Sequence, residues 1–108
     1  MKTGRNIFIV LVTASDLKTA RKLAAAVLKK RLAACANIVP RIESHYWWQG
    51  KLESSDEVLI LFKTTKACLT SLESAVVQNH PYDTPEVISM PLAHINAKYL
   101  AWLKNSVR

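Results

Sequence analysis

Glycine occurs twice, cysteine twice and proline four times in 108 residues, and no apolar run approaches the thickness of a bilayer. Each shortage excludes something. Little Gly and Pro removes collagenous, linker-like and low-complexity readings. Cys35 and Cys68 lie far apart and form no CxxC pair, which argues against a disulfide scaffold or a structural zinc module and fits a reducing compartment. A spanning helix needs about 20 apolar residues, so no membrane segment is expected and a cytoplasmic location is. Lys2 and Arg5 ahead of Ile7–Val12, with Thr13-Ala14-Ser15 behind, imitate a secretory signal. The run is shorter than the roughly 7–15 residues such signals use, and a buried strand explains it better. Acidic residues are also scarce: 8 against 15 Lys and Arg, for a net charge of +7. That balance permits binding to nucleic acid, acidic lipid or small anions, but a merely solvated basic face is the plainer reading, and the charge speaks to solubility and steering before fold.

Half the residues are hydrophobic, enough for one modest core, and the expectation is a single domain over residues 1–108. Ile7 to Val12 is continuous and rich in β-branched residues, as in a strand buried on both faces. Ser15 and Asp16 then supply a helix start. Leu17, Ala20, Leu23, Ala24, Val27 and Leu28 follow at helical spacing, with lysines and arginines on the opposite arc. Cys35–Val39 reads as a second strand, bent at Pro40 and continued by Ile42–Trp48, and Gln49-Gly50 as a hairpin turn. Glu57–Thr64 is the third strand and Ala67–Asn79 the second helix, which Pro81 obliges to end by His80. Glu86–Leu92 is the fourth strand, and Asn96 caps a terminal helix. The order β-α-β-β-α-β, with right-handed crossovers, gives an α+β ferredoxin-like sandwich with an extra C-terminal helix.

One face of such a sheet is covered by helices and the other is open. On the third strand Val58, Ile60 and Phe62 point one way while Leu59 and Leu61 point the other. A solvated face would alternate apolar with polar residues, and this one does not. The expectation is a closed, symmetric homo-oligomer with its sheets facing inward.

Specific strings narrow the reading. Leu32-Ala33-Ala34-Cys35-Ala36-Asn37-Ile38-Val39-Pro40 comes first, then Ser44-x-Tyr46-x-Trp48-x-Gly50-Lys51, then Glu57-Val58 with Lys63-Thr64. His80-Pro81-Tyr82-x-x-Pro85-Glu86 and Tyr99-Leu100-x-Trp102 complete the set. Together, in this order and across nearly the whole chain, they resemble the CutA divalent-cation tolerance family. The resemblance implies a trimer of ferredoxin-like domains and a role in tolerance of copper and other divalent metals, without an assigned reaction. Three loop positions depart from the family's habit: Ser15 and Arg41 stand where Pro and Gly are common, and Ile95-Asn96 replaces a Gly-Asn pair. Arg41 and Ile95 are therefore expected to reshape the rim of a cleft.

With that resemblance in hand, Cys35, His80 and Glu57 become the candidate metal ligands, thiolate, imidazole and carboxylate all being able to hold copper. Tyr46, Trp48, Lys63, Tyr82 and Glu86 are the candidates for an inter-subunit cleft. Six of the eight have a plainer role beside them: a Glu57–Lys63 ion pair, aromatic packing for Tyr46 and Trp48, a helix C-terminal cation for His80, small apolar packing for Cys35. No organic cofactor is implied. An RNA-binding module shares this strand order, but the third strand is aliphatic and lacks the aromatic K/R-G-F/Y string, so nucleic acid is disfavoured. A trimeric regulator like the PII proteins, binding a small anion between subunits, is the alternative. No nucleophile–base pair, phosphate loop or carboxylate dyad is visible, and an enzyme is not expected.

Overall fold

The computed structural model describes residues 1–108. A two-residue strand, β1 (Lys2–Thr3), precedes the first long one, β2 (Ile7–Ala14). Helix α1 (Leu17–Lys29) begins where Asp16 turns extended and its Oδ1 accepts the Thr19 N–H at 2.7 Å, which satisfies one of the free donors of the first turn. The hairpin β3 (Cys35–Trp48) and β4 (Lys51–Thr65) follows. A 3₁₀ turn at Lys66–Cys68 leads into α2 (Leu69–Asn79). Strands β5 (Val87–Pro91) and β6 (His94–Ile95) and helix α3 (Ala97–Ser106) close the chain. Asn96 caps α3, its Oδ1 accepting from Tyr99 N at 3.0 Å.

The main sheet has the order β3-β4-β2-β5, antiparallel throughout, as the ferredoxin-like reading requires. Helices α1 and α2 lie on one face. Ala20, Leu23, Ala24 and Val27 of α1 and Leu72, Ala75 and Val76 of α2 meet Val10, Val12, Val58, Ile60 and Phe62 of the sheet in one cluster. Burying each of the larger side chains contributes about 1.5–3 kcal/mol. Thr64, polar yet fully buried in the same region, donates its hydroxyl to the Leu32 carbonyl at 2.6 Å.

Two features depart from the sequence reading. The third strand starts at Lys51 rather than Glu57, so the hairpin is paired from Cys35↔Lys63 to Trp48↔Lys51, with a register shift between Val39 and Ile42 around Pro40. Residues 51–56 project beyond the helix layer, where both faces meet solvent, and nothing there demands apolar alternation. The second feature is the small sheet in which β1 pairs with β6. It brings Ile95 to Ile7 and Leu103, so that α3 covers one end of the open face.

The rest of that face is exposed in the single chain. Val39, Ile88 and Met90 are 37%, 51% and 44% accessible, in the ladder around half-buried Ile9, Leu11, Leu59 and Leu61.

Candidate functional site

A cleft of about 270 Å³ opens where the hairpin rises past the end of the helix layer, lined by Tyr46, Trp48, Glu57, Tyr82, Asp83 and Thr84. Two elements build it. The hairpin register places Ile42 opposite Glu57 and Tyr46 opposite Glu53. Facing residues of an antiparallel ladder share a side, so Tyr46, Trp48 and Glu57 all lie on the open face. The loop between α2 and β5 supplies the other wall.

His80 fixes that loop. Pro81 stops α2, and His80 turns extended (φ −88°, ψ 134°). The residue is 9% exposed; Nε2 donates to the Thr13 carbonyl at 2.7 Å, and Nδ1 accepts the Tyr82 N–H at 3.1 Å. Both ring nitrogens are therefore occupied and the Nε2–H tautomer is set. The Tyr82 ring packs against the imidazole at a centroid distance of 4.6 Å, and its hydroxyl donates to Glu57 Oε2 at 3.1 Å. Partial burial, reinforced by the hydrogen bond to Glu57 and by its negative charge, pushes the Tyr82 phenol up to about 12. On the hairpin wall, Tyr46 Oη and Ser55 Oγ are hydrogen-bonded at 3.1 Å.

Of the expected site residues, the structure thus brings Tyr46, Trp48, Glu57 and Tyr82 together, with His80 immediately behind them. It does not bring Cys35, His80 and Glu57 together: no three His, Cys, Asp or Glu side chains of one chain are placed to hold a metal ion. Cys35 lies in the other half of the sheet, opposite Lys63 in the ladder, its thiol 3.4 Å from Asn37 Oδ1. Glu57 and Lys63 form no ion pair, because they stand six positions apart on one extended strand. Lys63 instead lies 5.7 Å from the Tyr99 ring centroid, a cation–π arrangement. Glu86 is exposed and outside the cleft lining.

Neither Arg41 nor Ile95 lines this rim. Arg41 pairs with Asp56 at 3.3 Å, and Ile95 is buried beside Ile7. Asp83 and Thr84 went unread in the sequence, although they occupy the two unspecified positions of the His80–Glu86 string. With Glu57 and Asp83 on its walls and no lysine or arginine, the cleft suits a cation. The same walls oppose a small anion there.

Residues 8–106 match the sequence profile of a family described as CutA1 divalent ion tolerance protein. The chain is 47% identical over 100 residues to a chloroplastic protein CutA 1 of Oryza sativa subsp. japonica, covering 93% of this chain and 56% of that one. It is 45% identical over 100 residues to the divalent-cation tolerance protein CutA of an Escherichia coli strain, covering 93% and 89%. The chain therefore spans just over half the length of the rice relative and most of the bacterial one. The crystal structure of CutA1 from Oryza sativa superposes with a TM-score of 0.92 at 45% identity, covering 96% of this chain and 95% of that one.

Proposed function

The chain belongs to the CutA1 divalent ion tolerance family, and from that premise we propose that it protects against excess divalent metal, copper above all, by binding the ion. The observation that carries this reading is the pair of carboxylates, Glu57 and Asp83, on the walls of one cleft that opens beside an uncovered apolar sheet face. The oxygen donors of the cleft, Thr84 and the two carboxylates, fit a divalent cation as cargo. They are too few to enclose one, and a second copy of the chain supplies the missing wall. The working form is a homotrimer with its open sheets turned inward, a closed arrangement that covers Val39, Ile88 and Met90 in every subunit. Cys35, on the same sheet face but outside the cleft, enters as a soft ligand for reduced copper across the interface. The compartment proposed is the cytoplasm, where both unpaired thiols stay reduced. No helix is long and apolar enough to cross a membrane.

Native mass spectra with and without stoichiometric copper test the proposal, on the unaltered chain, on Glu57→Gln/Asp83→Asn and on Cys35→Ser. A trimer whose copper adducts disappear in the carboxylate variant supports the cleft. Adducts that vanish only in Cys35→Ser move the site to the thiol. Equal uptake in all three proteins marks the binding as adventitious and overturns the reading.

A further inference from the structure

The charged side chains are sorted along the molecule. Seven of the eight acidic residues (Glu73 is the exception) lie in the hairpin, in the loop 80–86 or at the cap of α1. None occurs in residues 1–15, 58–72 or 87–108, and parts of these segments (residues 1–7, 65–67 and 92–106) meet at the opposite end of the sheet. There β2 begins beside the end of β4, with Ile7 opposite Thr65, and α3 packs over both.

Two adjoining hollows open at that end. One, of about 500 Å³, is lined by residues that include Arg5, Asn6, Lys66 and Lys104; the other, of about 460 Å³, includes Lys2 and shares Arg5, Asn6 and Lys104 with the first. Neither lining contains a carboxylate. The Arg41–Asp56 ion pair and the His45–Glu43 hydrogen bond lie elsewhere, and no ion pair involves any of the four cations, so all four are without an acidic partner. The floor between the hollows is fixed by backbone. Asn6 takes a left-handed conformation (φ 64°), its carbonyl accepts from Lys66 N at 2.8 Å, and Ile7 N donates to the Gly4 carbonyl at 2.9 Å.

We infer that this end of the molecule is a binding site for a small anion carrying two or more phosphate groups, seated across Arg5 and Lys104 with Lys2 and Lys66 at its two ends. Like charges gathered in a concavity focus the field on such a ligand, and Arg and Lys are the side chains that recognise phosphate oxygens. The volumes fall within the range of small-molecule sites, about 300–1,000 Å³. No aromatic side chain lines either hollow, so there is no platform on which a nucleobase would stack. The site is independent of the acidic cleft, which lies at the other end.

Inorganic tripolyphosphate is the probe, titrated calorimetrically into the full chain. The Lys66→Gln/Lys104→Gln variant is expected to lose at least about tenfold in affinity, while Lys18→Gln/Lys22→Gln, which removes the same charge from α1, leaves it unchanged. Circular dichroism confirms that both variants keep the fold. Equal weakening in the two variants would reduce the effect to net charge and overturn the site. So would single-stranded RNA or anionic vesicles that bind at this end without being displaced by tripolyphosphate. Copper uptake, measured in parallel, is expected to survive Lys66→Gln/Lys104→Gln, which separates this site from the metal cleft.

Discussion

Tyr82 is held by one near and one distant group, the imidazole of His80 two residues back at its backbone and the Glu57 carboxylate 25 residues back at its hydroxyl. Its phenol is raised from 10.0 to about 12, so the folded state keeps the proton longer than the unfolded chain does. The contribution is whole below pH 10 and is lost as pH rises through about 12. Phenolate absorbance is therefore expected to show a tyrosine ionising near pH 12, and Tyr82→Phe is expected to remove that step. The same substitution frees Glu57 and costs about 1 kcal/mol in denaturant unfolding. His80 shows what spacing in a sequence leaves out. Its position before Pro81 marked the helix end correctly. That its two nitrogens are used by Thr13 and Tyr82, 67 residues back and two ahead, depends on tertiary placement alone.

At the level of the element, most boundaries were legible because each has a local cause: Asp16 and Asn96 as caps, Pro81 as a stop, Gln49-Gly50 as a turn. In the structure both turn residues have positive φ, 50° and 78°, as a two-residue hairpin loop matched to strand twist requires. Gly50→Ala is expected to lower stability by about 1 kcal/mol, seen as a lower urea midpoint with an unchanged m-value. The β1–β6 pairing was not legible. Two residues per strand carry no periodicity, and the pairing spans nearly the full chain. Its requirement is a close backbone approach. A Cβ built on Gly4 would lie 2.8 Å from the Leu92 carbonyl carbon, and that backbone cannot yield without moving α3. Gly4→Ala is expected to destabilise by about 1–3 kcal/mol, with the loss of amide-exchange protection concentrated in β1, β6 and α3 rather than in the α1–α2 core.

The whole molecule has an open face that its own chain does not finish covering. The apolar parity of the third strand predicted that face, and the structure places Val39, Ile88 and Met90 on it, all more than a third exposed. The metal candidates of the sequence illustrate the limit of the same reading: it could choose residues by chemistry, but one strand carries Glu57 and Lys63 to opposite ends of the sheet, and Cys35 goes with Lys63. If copies of the chain close over this face, charge placed in its centre has nowhere to go. An ionised carboxylate buried against apolar side chains without a partner costs several kcal/mol, and with Ile88 and Met90 both replaced by aspartate closure would bring in two from every subunit. Ile88→Asp/Met90→Asp is therefore expected to give monomers by light scattering where the unaltered chain is expected to give the proposed trimers. Far-UV circular dichroism should remain intact, because neither residue belongs to the helix-facing core. Such a monomer would keep Glu57 and Asp83 but lose the wall proposed for a neighbour, and its copper uptake is expected to fall with its mass. A variant that dissociates yet binds copper undiminished would show the cleft to be complete within one chain. An unaltered chain that is itself monomeric would leave the exposed face in need of a different partner.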